Sequence, residues 1–139
     1  MSGWTSDWRV SVAVAVVFWG LWGFFSKVAI TRLGWPTATM IGWAAGVVVV
    51  GPFLASEFRW TGLANAWPAL IYGASGALGA VFLFKALAQG PASVVLPLSE
   101  GWVVVAVLLA TIFLGERLSW SQMVGLAMLL IGVGLLARE

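Results

Sequence analysis

The 139-residue chain should form an all-α integral membrane protein with five transmembrane helices. Three observations lead there. Hydrophobic residues make up 62% of the sequence and charged residues 9%, whereas soluble domains hold roughly 45–50% apolar residues. The charges are so thinly spread that residues 10–26, 33–56, 60–84, 86–99, 101–115 and 118–137 carry none, and a helix of about 20 such residues crosses the hydrocarbon core. Glycine, proline, tryptophan and charge also coincide at a few points. These mark helix ends, because such residues break helices or favour the headgroup region.

The first span is expected over residues 10–31 and contains Lys27. The second, over 36–55, opens on Pro36, whose missing N–H is harmless in a first turn. The third covers 67–88. A tight Gln89-Gly90-Pro91-Ala92 link leads to the fourth, over 93–114, and the fifth runs from 120 to 137. Each is roughly 30 Å of helix. Ser119 with Gln122 three residues later is a capping-box pattern that satisfies the first amides of the last helix. Trp4, Trp8, Trp35, Trp60, Trp67 and Trp120 fall at span ends, where an interfacial aromatic belt belongs. The first apolar run is long and is followed by bulky Trp19 to Phe25 rather than a small-residue cleavage site, so it is expected to stay in the membrane.

Cysteine and histidine are both absent. This removes disulfides, thiolate or imidazole metal sites, cysteine nucleophiles and a serine–histidine triad. No cofactor is implied and no enzyme chemistry is expected. A net charge of +2 without a basic cluster gives no nucleic-acid footprint.

Five spans place the termini on opposite sides. Arg9, Arg59 and Arg117 fall on the N-terminal side; Arg32 and Arg138 fall on the other, with Lys27 and Lys85 close to it. Orientation follows the lysine and arginine bias of short loops, and here the sign of the bias depends on whether the two lysines count. The chain is therefore expected to insert both ways, a dual topology. Small residues on a helix face let backbones approach in a bilayer. Gly20 and Gly23, Gly42 and Gly46, Gly73, Gly76 and Gly79, and Gly125 and Gly132 are read as packing faces, some of them closing on a second copy.

The order of residues from Phe82 onward carries a resemblance: Leu87-Ala88-Gln89-Gly90-Pro91-Ala92, an apolar helix, Phe113-Leu114-Gly115-Glu116-Arg117-Leu118, then Gln122, Gly125 and Ile131-Gly132-Val133. With Phe18-Trp19-Gly20 and Phe24-Phe25-Ser26-Lys27-Val28-Ala29 near the start, the whole chain resembles a single EamA-type five-helix domain of the drug/metabolite transporter superfamily. Many members are ten-helix carriers made of two such units in opposite orientation. The resemblance thus implies half of a ten-helix inverted-repeat transporter, working as a homodimer, antiparallel if dual topology holds, in the cytoplasmic (inner) membrane. A parallel dimer or a different partner chain stays open. The four-helix small multidrug resistance proteins are more distantly similar. They exchange protons for drug cations on a first-helix glutamate, and setting Lys27 on that family's helix-one lysine places Trp19 there, so this chemistry does not carry over.

Glu100 is the one acid inside an expected span. An intramembrane carboxylate is costly unless it faces a cavity or has a partner, which makes it a site candidate. Pro97 deprives the Ser93 carbonyl of its helical donor, so residues 97–101 are read as a locally broken, hydratable stretch. Its alternative reading is a buried ion pair with Lys85, one turn away across the Gly90-Pro91 link, or with Lys27. Both lysines also sit near enough to span ends to snorkel. Trp19, Trp22, Trp43 and Trp102 lie away from span ends and would line an aromatic cavity for a planar or cationic solute, or else pack the core. Ser26, Ser75, Thr39 and Tyr72 would add hydrogen bonds. The expected function is a secondary transporter of a small metabolite or drug-like solute, with a cavity lined by helices one to four. A non-transporting membrane subunit or assembly partner is the alternative.

Overall fold

The computed structural model describes residues 8–55, 57–59 and 62–138. All regular structure among them is helical: α1 (Trp8–Leu33), α2 (Trp35–Ala55), α3 (Leu63–Gln89), α4 (Ala92–Ser99), α5 (Trp102–Phe113) and α6 (Trp120–Leu136). The chain divides between Gln89 and Gly90 into two compact units.

In the first unit α1 packs on α2 and α3, and α2 on α3. α1 and α2 are joined by Gly34 alone, which adopts φ +77 and donates its N–H to the Ile30 carbonyl at 2.9 Å. This is the left-handed C-terminal cap that glycine adopts without a Cβ penalty. The Gly34 carbonyl then accepts the Ala38 N–H at 3.1 Å, so the residue that ends α1 also starts α2. Arg32 in the last turn of α1 suits the negative end of its dipole. Ile30, Phe84 and Leu87 are buried where the later turns of α1 meet those of α3.

In the second unit α6 packs against α4. α4 starts at Pro91, whose carbonyl accepts the Val94 and Val95 N–H groups at 3.1 and 2.9 Å. The helix then stops at Ser99, and α5 begins at Trp102. Between them the bonds shorten to three-residue steps: Glu100 N–H to Pro97 O, Gly101 N–H to Leu98 O, Val103 N–H to Glu100 O and Val104 N–H to Gly101 O, all between 3.0 and 3.2 Å. This tightened turn is 3₁₀-like. Gly101 fits because a Cβ there would lie 3.3 Å from the Leu98 carbonyl oxygen. Gly115, φ +68, turns the chain after α5.

The capping box at α6 is present as expected, with Gln122 N–H on Ser119 Oγ at 3.4 Å and Ser119 N–H on Gln122 Oε1 at 2.7 Å. Trp8, Trp35 and Trp120 are the first residues of their helices, and Trp67 lies one turn into α3. Trp4 and Trp60 lie outside the described residues. α1 and α3 run one to four residues beyond the expected ends, where polar residues such as Arg32 and Asn65 continue the helix, whereas the fourth span and α6 each end one residue short, at Phe113 and Leu136.

Among the described residues, four stretches are long and apolar enough to cross a membrane: Trp8–Leu33, Trp35–Ala55, Asn65–Gln89 and Ala92–Phe113, the last containing the 3₁₀ step. α6 is shorter at 17 residues, about 26 Å of helix. Large apolar side chains cover the surface, among them Val47, Val48 and Met40, each at least 70% exposed. Water would not tolerate so continuous an apolar surface. A bilayer does, since it asks only that backbone polar groups be satisfied within the helices.

Candidate functional site: an apolar cavity in the first helical unit

The first unit carries a half-open cavity of about 820 Å³. Its walls come from α1 (Trp22, Ser26, Ile30), from α2 (Thr39, Trp43, Val47, Val50) and, on α3, from Tyr72 and Phe84. The α2 wall is a helical stripe: residues 39, 42, 43, 46, 47 and 50 recur at intervals of three and four, which places them on one face. Gly42 and Gly46 lie in that stripe, and a Cβ on either would meet nothing within 4 Å. They flatten the α2 wall where larger residues would fill the space.

None of the described lining residues is charged. The half-buried polar oxygens on the wall are the Ser26 and Thr39 hydroxyls. Ser26 Oγ donates to the Gly23 carbonyl at 2.8 Å, and Thr39 Oγ1 donates to the Trp35 carbonyl at 2.6 Å. With their hydrogens held along their own helices, both oxygens keep lone pairs for an incoming donor. Trp22 is steadied by Phe84, ring centroids 5.7 Å apart and tilted by 40°, within the separation of interacting aromatic pairs.

Of the tryptophans singled out in the sequence, Trp22 and Trp43 line this cavity together. Trp19, 65% exposed, is not among its lining residues. Trp102 opens α5 in the second unit, immediately after the 3₁₀ step that holds Glu100. Ser75 lies off the wall, and its hydroxyl donates to the Tyr72 carbonyl at 3.1 Å.

Both lysines have neighbours that sequence reasoning did not name. Lys27 Nζ donates to the Leu87 carbonyl at 2.5 Å, across 60 residues of sequence. That carbonyl belongs to the last turn of α3, where no further helical N–H arrives and the helix dipole favours a cation. Lys85 Nζ lies 5.4 Å from the Trp35 ring centroid and 5.8 Å from that of Phe82, within cation–π range. A backbone acceptor leaves no mark in a sequence, so the Lys27 contact was not foreseeable. The glycines of the α2 stripe were read only as packing positions, although their shared face with Thr39 and Trp43 was a usable signal. Glu100 sits exposed at the end of α4.

The model of the EamA-like transporter family matches residues 8–138. An uncharacterized protein of Methanocaldococcus jannaschii is 28% identical over 127 residues, covering 89% of this chain and 91% of its own length. A Sinorhizobium protein described as an uncharacterized transporter in the cobO 3′ region is 29% identical over 140 residues, covering 96% and 98%. No solved structure matches the chain. With nearly its whole length matched and its apolar helices long enough to cross a bilayer, the chain belongs to the EamA-like transporter family, whose members are membrane transporters rather than enzymes.

Proposed function

We propose that the protein is a secondary carrier that moves a small, planar metabolite or drug-like solute across the cytoplasmic membrane. The observation that carries this reading is the charge-free cavity between α1 and α2, with Trp22 and Trp43 on facing helices. Aromatic faces and a flat glycine wall suit a ring-containing solute. The chain forms one five-helix domain, α4 and α5 crossing together as a broken helix, and it works as a homodimer whose units lie antiparallel. The near-even arginine and lysine tally supports insertion in both orientations. Rocking of the two units then exposes the cavity to each side in turn. Glu100, beside a tightened turn in which helical bonding is interrupted, binds a proton or a solute cation and couples its movement to that of the solute.

The test is solute flux in proteoliposomes against a panel of planar metabolites, with Trp43→Ala as the cavity variant. Saturable flux that Trp43→Ala reduces at least tenfold supports the carrier. Absence of flux for every solute, together with a co-purifying second chain, favours a non-transporting subunit. Assembly is tested by labelling a Ser2→Cys variant with an impermeant maleimide in intact cells and again after permeabilisation. About half labelled before permeabilisation supports dual insertion; nearly all or none overturns the antiparallel dimer.

A further inference from the structure

We infer that the cavity selects an uncharged planar solute that carries its own N–H or O–H donors, a heteroaromatic N–H compound in the simplest case, and discriminates against anions. The inference rests on the carrier reading above and narrows its substrate class. Ser26 and Thr39 face the same cavity from α1 and α2, the two helices joined at Gly34. Counted from that corner, Ser26 lies eight residues back and Thr39 five forward, a height difference of about 4.5 Å at 1.5 Å per residue. A bicyclic ring spans that interval. Each hydroxyl hydrogen is already directed to its own helix, at 2.8 and 2.6 Å. What the two oxygens present is acceptor capacity, so a solute reaching them must donate.

Charge is decided by the rest of the wall. None of the described lining residues is acidic or basic. A charged solute moving from water against this wall would give up part of its hydration and gain no counter-ion, and an anion would also meet the lone pairs of the Ser26 and Thr39 oxygens. A neutral ring loses little on entry. It gains apolar contact with the two tryptophans and with the α2 wall, where Gly42 and Gly46 leave space.

Equilibrium dialysis of the full-length purified protein at pH 8 tests this with benzimidazole, which carries an N–H, 1-methylbenzimidazole, which lacks it, and benzoate. Benzimidazole is expected to bind about tenfold more tightly than its methylated analogue, the size of one net hydrogen bond in a dry site, and benzoate is expected not to compete. In the Ser26→Ala/Thr39→Val double variant, benzimidazole should fall to the affinity of the methylated probe while the latter is unchanged. That unchanged affinity shows that the variant has kept its fold. Equal binding of the two probes to the unmodified protein, or a preference that survives the double variant, overturns the donor rule and leaves the carrier reading standing. If neither probe binds saturably, while flux of some charged solute is saturable, the inference fails and the carrier survives. If there is neither binding nor flux, both fail.

Discussion

Replacing Lys27 by methionine removes the ammonium from the Leu87 carbonyl while keeping a flexible apolar stem of similar length. The lost hydrogen bond has a charged donor, and such bonds contribute about 1.5–3 kcal/mol. The carbonyl it leaves behind belongs to the last turn of α3, beside a fully buried side chain. It has no helical N–H to take over, and the favourable placement of a cation at a helix C-terminus, about 0.3–1 kcal/mol, disappears as well. Offsetting this, the variant no longer has to desolvate a half-buried ammonium. The balance is a destabilisation of about 2 kcal/mol, read as the change in unfolding free energy in mixed micelles. Lys27→Gln, one atom shorter but still carrying an N–H donor, should recover part of it. A methionine variant as stable as the original, with glutamine no better, would show that the contact contributes nothing to holding α1 on α3.

Other outcomes follow from the same structure. Gly34→Ala forces a side chain into φ +77 and should lower stability by about 1–2 kcal/mol in the same micelle assay, through strain alone, since the nearest atom to the new Cβ is 3.9 Å away. Ser119→Ala removes the capping box of α6 and should cost about 1 kcal/mol, visible as faster amide exchange in the first turn of that helix. Gly46→Leu adds a side chain whose Cβ would meet nothing within 4 Å and whose branch extends into the cavity; gel-filtration elution and helicity should stay unchanged while solute flux falls at least tenfold, and undiminished flux would remove α2 from the solute path. Glu100→Gln should abolish the pH or ion dependence of flux while leaving equilibrium exchange of solute, measured with equal solute on both sides of the vesicle and radiolabel on one.

The break between α4 and α5 shows how local chemistry reaches the tertiary level. Pro97 removes one helical donor, and the backbone of the next residues closes on shorter three-residue bonds rather than leaving groups open. Gly101 suits this turn, since a Cβ there would press on the Leu98 carbonyl oxygen at 3.3 Å. An acidic residue, Glu100, thus stands where the helix is least regular.

Much of this architecture was legible from residue order, for physical reasons that act locally. Charge-free runs and tryptophans announced the helices, because a bilayer enforces internal backbone bonding wherever polar sequence is missing. Ser119 and Gln122 announced the start of α6 and Pro97 the break in the fourth span, since caps and proline act within one turn. What tertiary structure decided is which faces meet. Trp22 and Trp43 share a cavity, while Trp19, one turn from Trp22, does not line it, and periodicity alone gives no azimuth relative to a neighbouring helix when α1 and α2 are apolar all round. Nor does sequence reveal that Lys27 ends on the Leu87 carbonyl, because the acceptor is backbone and every residue carries one. Composition and caps determine the helices in a membrane; only their packing determines which surfaces line the cavity.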